Sequence, residues 1–220
     1  MLKTLVFFDI NGTIIKRDSR TDVPFSQAVD EFFNIENGMD GVDTTARSDK
    51  DVLMEVLENF NIPFSENLWK GFLGKYERKL EEFKKTDVWR ENADAVKFIK
   101  KLHEKGYLLS LISGELSVGA KYKLEKIGVW KYFPTGGFGE DGLRRFDIAD
   151  SALSKALEHY KENPEKIVVI GDTVLDIQTA RHLGAKVISI TTGSHSREKL
   201  EGESPDFIVD RFSELKDSDI

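Results

Sequence analysis

Four short apolar runs punctuate the chain, and each stops abruptly at polar or glycine residues. Leu5-Val6-Phe7-Phe8 ends at Asp9, Leu108 to Ile112 at Ser113-Gly114, Ile167 to Ile170 at Gly171-Asp172, and Val187 to Ile190 at Thr191-Thr192-Gly193. Continuous apolar runs bounded by turn residues fit strands buried on both faces of a parallel sheet. Phe207-Ile208-Val209 fits a shorter edge strand. Helical spacing fills the gaps: Ala95, Phe98, Ile99 and Leu102 share one face, as do Ile148, Ala152, Ala156 and Tyr160, and Ile177, Ala180 and Leu183. Gly106, Gly128 and Gly184 sit where helix C-termini are expected. Strand–helix alternation of this kind predicts an α/β fold, a Rossmann-like doubly wound parallel sheet with helices on both faces.

One segment breaks the alternation. Between residues 16 and 86 the pattern is helical throughout, with Val52, Leu53, Val56, Leu57 and Phe60 on one face and Leu68, Phe72, Tyr76 and Leu80 on another. The expected organisation is a core of residues 1–15 and 87–220 with an all-helical cap, 16–86, inserted after the first strand. Hinges are expected near Ile15-Lys16 and Thr86-Asp87, and the tail after Ser213 reads as a fraying end.

Composition narrows the function. With 32% charged residues and a net charge of −7, the chain has no basic face for general nucleic-acid binding. It has no Cys, which excludes disulfides and thiolate metal sites, and its four His fall in no zinc-ligand spacing. No stretch is apolar enough to cross a bilayer, and Met1-Leu2-Lys3 runs into the first strand without signal-peptide architecture. A cytoplasmic protein, monomeric or homodimeric, is expected, acting on a small molecule.

Ligands of open α/β sheets bind beyond the carboxyl ends of the strands. Those ends carry Asp9, Ser113 and Asp172. Taken singly, Asp9 and Asp172 read as helix caps and Ser113-Gly114 as a turn; their convergence on one edge is what a structural reading does not require. The residues Asp9-Ile10-Asn11-Gly12-Thr13 resemble the first motif of the haloacid-dehalogenase superfamily, in which an apolar strand leads into Asp-x-Asp-x-Thr. Leu111-Ile112-Ser113-Gly114 resembles its second motif, and Gly171-Asp172-Thr173 through Asp176 its fourth. The helical insert is similar to the cap of the phosphoglycolate-phosphatase-like branch. The resemblance covers nearly the whole chain and implies hydrolysis of a small phosphomonoester through an aspartyl-phosphate on Asp9.

The chemistry has its own logic. A carboxylate nucleophile is repelled by a phosphomonoester unless a cation intervenes, and Mg²⁺ suits an all-oxygen site. Asp9 and Asp172 are the expected metal ligands, with the backbone carbonyl of Asn11 and with Asp176 one helical turn beyond Asp172 on the same face. Ser113, with backbone N–H groups around Gly12 and Gly114, would hold phosphate oxygens, and Thr13 would support the loop. The resemblance further implies a cation before the third strand: Arg145 first, Arg144 next, with Lys155 in the helix that follows. In related enzymes with helical caps, a polar or basic residue near Arg47 can face the substrate; the plainer reading is Ser48 capping a helix.

One residue departs from the pattern. Phosphatases of the superfamily carry a second Asp two residues after the nucleophile as acid and base, and this chain has Asn11 there. An amide performs neither proton transfer. An engineered substitution, a naturally slowed or purely binding homologue, and a different superfamily chemistry all remain open. Alternatives to a phosphatase are a phosphate-ligand sensor and a phosphomutase.

Overall fold

A computed structural model describes residues 3–45 and 47–220; Met1-Leu2, on which part of the no-leader reading rests, and Ala46 lie outside the described residues. Six parallel strands form one sheet: β1 (Thr4–Phe8), β2 (Leu108–Ile112), β3 (Gly136–Gly137), β4 (Lys166–Gly171), β5 (Lys186–Ile190) and β6 (Phe207–Val209). Their order is β3-β2-β1-β4-β5-β6, so β1 is central and the chain winds outward from it in both directions. This is the expected Rossmann-like α/β fold.

Period-two alternation sends the side chains of each strand to opposite layers. Val6, Phe8, Leu109, Leu111, Val168 and Ile170 pack with helix α4 (Ala93–Glu104) and α5 (Ser117–Lys126). Leu5, Phe7, Ile112, Val169 and Val187 pack instead with α6 (Arg145–Tyr160), α7 (Val174–His182) and α8 (Arg197–Glu201). Burial on both faces explains why the central strands are continuous apolar runs.

The insert folds as three helices, α1 (Val23–Phe33), α2 (Asp49–Asn59) and α3 (Glu66–Phe83). They gather their own apolar cluster around Phe72, which is fully buried and meets the rings of Phe25, Phe32, Phe33, Trp69 and Tyr76. Gly71 leaves room for Phe32, whose ring would lie 2.7 Å from a Cβ there. The two chain crossings between insert and sheet run side by side: Ile15 bridges to Glu91, Lys16 N–H donates to Arg90 O, and Asn92 N–H donates to Ile14 O. No helix among the described residues is long and apolar enough to cross a membrane.

Two features differ from the sequence reading. The edge strand β3 is a pair of glycines, which carry no side-chain pattern to detect. The tail after Ser213 does not fray: Leu215 and Ile220 are buried in the layer that holds α4, and Asp217 pairs with Lys101 and Lys105. Two apolar side chains spaced across two 3₁₀ turns were too few to register as a periodic element.

Removing the ring at the centre of the helical insert is expected to cost about 3–5 kcal/mol. Urea unfolding of Phe72→Ala against the parent chain measures it.

Candidate active site

Asp9 follows β1 directly, and its N–H extends the ladder by bonding Ile170 O at 2.9 Å. The strand register sets Asp9 level with Ile112 on one side and Gly171 on the other. Ser113 and Asp172 are the next residues on those strands, so the sheet itself brings the three together. Carboxylate oxygens of Asp9, Asp172 and Asp176 lie within 4.8 Å of one another.

Close backbone approach builds the cradle. Gly12 has φ +96, and a Cβ there would sit 2.4 Å from the Asp172 carboxylate; one at Gly193 would sit 2.0 Å from it. Both positions therefore need a residue without a side chain. Asp172 accepts from Thr13 Oγ1 at 3.1 Å and from Ser194 N–H at 2.6 Å. Asp176 serves two purposes. One oxygen closes a reciprocal cap with Thr173 at the start of α7, and the other faces the site.

Like charges so close in a buried site oppose ionisation. Burial, then repulsion from Asp176, pushes Asp9 well above the usual carboxylate range, against the opposing pull of Arg145. Asp172 is pushed up to about 6, again by burial first and Asp176 second. Arg145 answers this charge from the first turn of α6. Its Nη2 donates to Asp9 Oδ1 at 2.9 Å, Asp176 Oδ1 at 2.7 Å and Ile112 O at 2.9 Å. Its Nε is buried without a partner.

Asn11 is held at both ends. Its Nδ2 donates to Glu115 Oε2 at 3.2 Å, and its Oδ1 accepts from Lys123 Nζ at 3.2 Å. Glu115 and Lys123 form an ion pair at 2.7 Å with almost no exposure, 3% and 2% of their side chains. An amide matches this pair, giving the acid a donor and the ammonium an acceptor, as a protonated carboxyl would and an ionised one would not. Sequence reading missed both residues. Lys123 looks like one of the ordinary lysines of α5, and Glu115 like a loop charge.

The insert closes over these groups. Ser48 caps α2 and donates to Leu143 O, Asp49 N–H donates to Gly114 O, and Asp49 Oδ2 accepts from Leu116 N–H at 2.9 Å. Between insert and sheet lies a cavity of roughly 100 Å³, lined by Asp9, Asn11, Ser113, Arg145 and, from the insert, Asp22, Asp49 and Tyr76, among others. A larger groove of about 930 Å³ along α5 and β3 has none of the three clustered Asp residues, so size alone does not mark the site.

Other expected site residues stand apart. Arg144 is 78% exposed and pairs with Asp147 on its own helix. Lys155 pairs with Asp141 at 2.6 Å. Gly114 lines the cavity, while Thr13 and Gly12 work from behind it, on Asp172 and on Thr192. Arg47 reaches the cavity wall, but its guanidinium is engaged by Asp51 and Glu55.

The comparison with known proteins is decisive at the level of family. A family model described as haloacid dehalogenase-like hydrolase matches residues 6–181. The chain belongs to the haloacid dehalogenase-like hydrolase family. A second model of HAD-hydrolase-like proteins matches residues 149–215. This family member is 25% identical over 215 residues to a Clostridium perfringens protein provisionally named pyrophosphatase PpaX, an alignment that covers 96% of this chain and 95% of that one. It is 23% identical over 214 residues to a phosphoglycolate phosphatase of Vibrio parahaemolyticus, covering 96% and 93%. The crystal structure of a hydrolase from Pseudomonas syringae shares the fold, with a TM-score of 0.69 at 15% identity over 96% of this chain and 94% of that one.

A site of three crowded acids should gain from a divalent cation, and more so when the acids are ionised. Because Asp172 titrates above its unfolded value in the metal-free fold, its ionisation lowers stability as pH rises through about 6. Mg²⁺ is therefore expected to raise Tm by more at about pH 7.5 than at about pH 5. Thermal melts of the parent and of Asp172→Asn, which should lose most of the increment, check this.

Proposed function

We propose that this chain is a Mg²⁺-dependent phosphatase that hydrolyses a small phosphomonoester through an aspartyl-phosphate on Asp9. One observation carries the reading: a carboxylate at the tip of the central strand lies within 4.8 Å of two further acids and 2.9 Å from a buried guanidinium. The all-oxygen donors of Asp9, Asp172 and Asp176 fit a hard cation such as Mg²⁺, which when bound would neutralise phosphate charge. The phosphatase names of full-length relatives support the same chemistry.

The residues then divide the work. Asp9 attacks phosphorus as the bond to the alcohol oxygen breaks, and water later cleaves the acyl-phosphate. Arg145 holds Asp9 in place and sets a positive charge beside the attacking carboxylate. Ser113 and the Gly114 backbone line the same cavity and suit equatorial oxygens. The helical insert acts as a cap that excludes bulk water during the reaction. The substrate is a small phosphorylated metabolite, and we place the reaction in the cytoplasm.

Asn11 lacks the proton chemistry of an acid, so turnover is slow. Its two-ended engagement by Glu115 and Lys123 also favours a second reading, a phosphate-ligand sensor. Phosphate release from p-nitrophenyl phosphate separates the two. The phosphatase reading expects slow release that needs Mg²⁺, stops with EDTA and is absent in Asp9→Asn. Binding of Mg²⁺ and phosphate without any release, in the parent and in Asn11→Asp, would sink it in favour of the sensor.

Asn11→Asp is expected to raise the rate by about 10²-fold or more, the usual worth of a placed acid–base group. The same change sets a second carboxyl against Glu115 Oε2, so its Tm should fall. Paired kinetics and thermal melts read both effects.

A further inference from the structure

The part of the cavity away from Asp9 has a distinct chemistry. Asp22, Asp49 and Glu115 line it with the hydroxyl-bearing Tyr76, and Phe25 and Val52 supply apolar wall. Burial and then repulsion from Glu115 push Asp49 well above its usual range, so this region already resists negative charge. Asp22 is the N-cap residue of α1, yet its side chain caps no N–H of that helix and is left exposed to the cavity mouth. Glu115 is only 5% exposed; its Oε1 pairs with Lys123 Nζ at 2.7 Å and its Oε2 accepts from Asn11, so it is a wall of the cavity rather than a free acceptor.

The nearby cations are committed elsewhere. Lys123 is spent on Glu115 and Asn11. Arg47 is turned to Asp51 and Glu55. Arg145 serves Asp9 and Asp176, and Arg17 bonds Ser194, the neighbour of Asp172. Asp22 and the second oxygen of Asp49 are thus the acceptors left at the alcohol end of the cavity, and the cations lie on its phosphate side or in pairs.

Resting on the phosphatase reading, we propose that the alcohol half of the substrate binds among Asp22, Asp49, Tyr76 and Glu115 and carries hydrogen-bond donors, hydroxyl or ammonium, with no second anionic group. A phosphomonoester bearing a carboxylate meets Asp22 and Asp49 there, with Glu115 already paired to Lys123, while an ammonium or a hydroxyl finds acceptors.

Calorimetric titration of the full chain with Mg²⁺ tests this independently of turnover, using O-phosphoethanolamine, glycerol phosphate and phosphoglycolate. Phosphoglycolate is expected to bind at least about tenfold more weakly than the other two, as like-charge contact in a partly buried site demands. Tightest binding by the amine assigns the subsite to ammonium, and tightest binding by glycerol phosphate assigns it to hydroxyls. Asp22→Asn, at an exposed helix end, should narrow the gap, and Asp22→Lys should narrow it further. Phosphoglycolate binding as tightly as the others, a gap that neither variant moves, or no binding by any of the three overturns the proposal. Failure to hydrolyse p-nitrophenyl phosphate with this order of affinities intact would overturn the catalytic reading and support the subsite.

Discussion

The organising constraint of this molecule is the concentration of negative charge at the tip of its central strand. Three carboxylates approach within 4.8 Å where water is largely excluded, and one guanidinium stands among them. Nothing about a parallel sheet requires this. Burial makes ionisation of such a group costly, and proximity multiplies the cost. Much of the local structure can be understood as support for that arrangement. Thr13 and the Ser194 N–H hold Asp172, the α7 cap fixes Asp176, and glycines at 12 and 193 let backbone close around the carboxylate.

The same edge carries a second buried charge pair with a different purpose. Glu115 and Lys123 grip the two ends of one amide, Asn11, and so define which way it faces. A buried ion pair adds little net stability on its own, and its value often lies in specifying one arrangement. Here the arrangement it specifies is complementary to an amide.

The sheet was legible in the sequence because buried parallel strands leave uninterrupted apolar runs, and β1, β2, β4 and β5 are such runs. Their ends fixed the positions of Asp9, Ser113 and Asp172 along the chain, and the strand register converts those positions into proximity. Signals carried by one or two side chains were not legible. A strand of two glycines has no pattern, and the anchoring of Leu215 and Ile220 depends on a layer contributed by distant segments. Charged groups were harder still. Arg47, Arg144 and Arg145 look alike in sequence, and only the start of α6 and the carboxylates around each one separate a buried bridge from two side chains with local partners. Glu115, Lys123 and Asp49 belong to the site through tertiary contacts that no local spacing encodes.

At one point the junction between helical insert and sheet is bare backbone. A Cβ on Gly114 would lie 2.1 Å from Arg47 O, and one on Gly139 would lie 2.2 Å from Gly114 O. Three backbone segments are therefore stacked at their closest possible spacing, and Asp49 N–H and Gly139 N–H each donate into the stack. Such a stack behaves as a gauge block: its thickness, set by bare peptide planes, dictates the resting angle between the two modules. A single methyl group inserted there would act as a shim. It would press first on the roof over the cavity, through the carbonyl of Arg47.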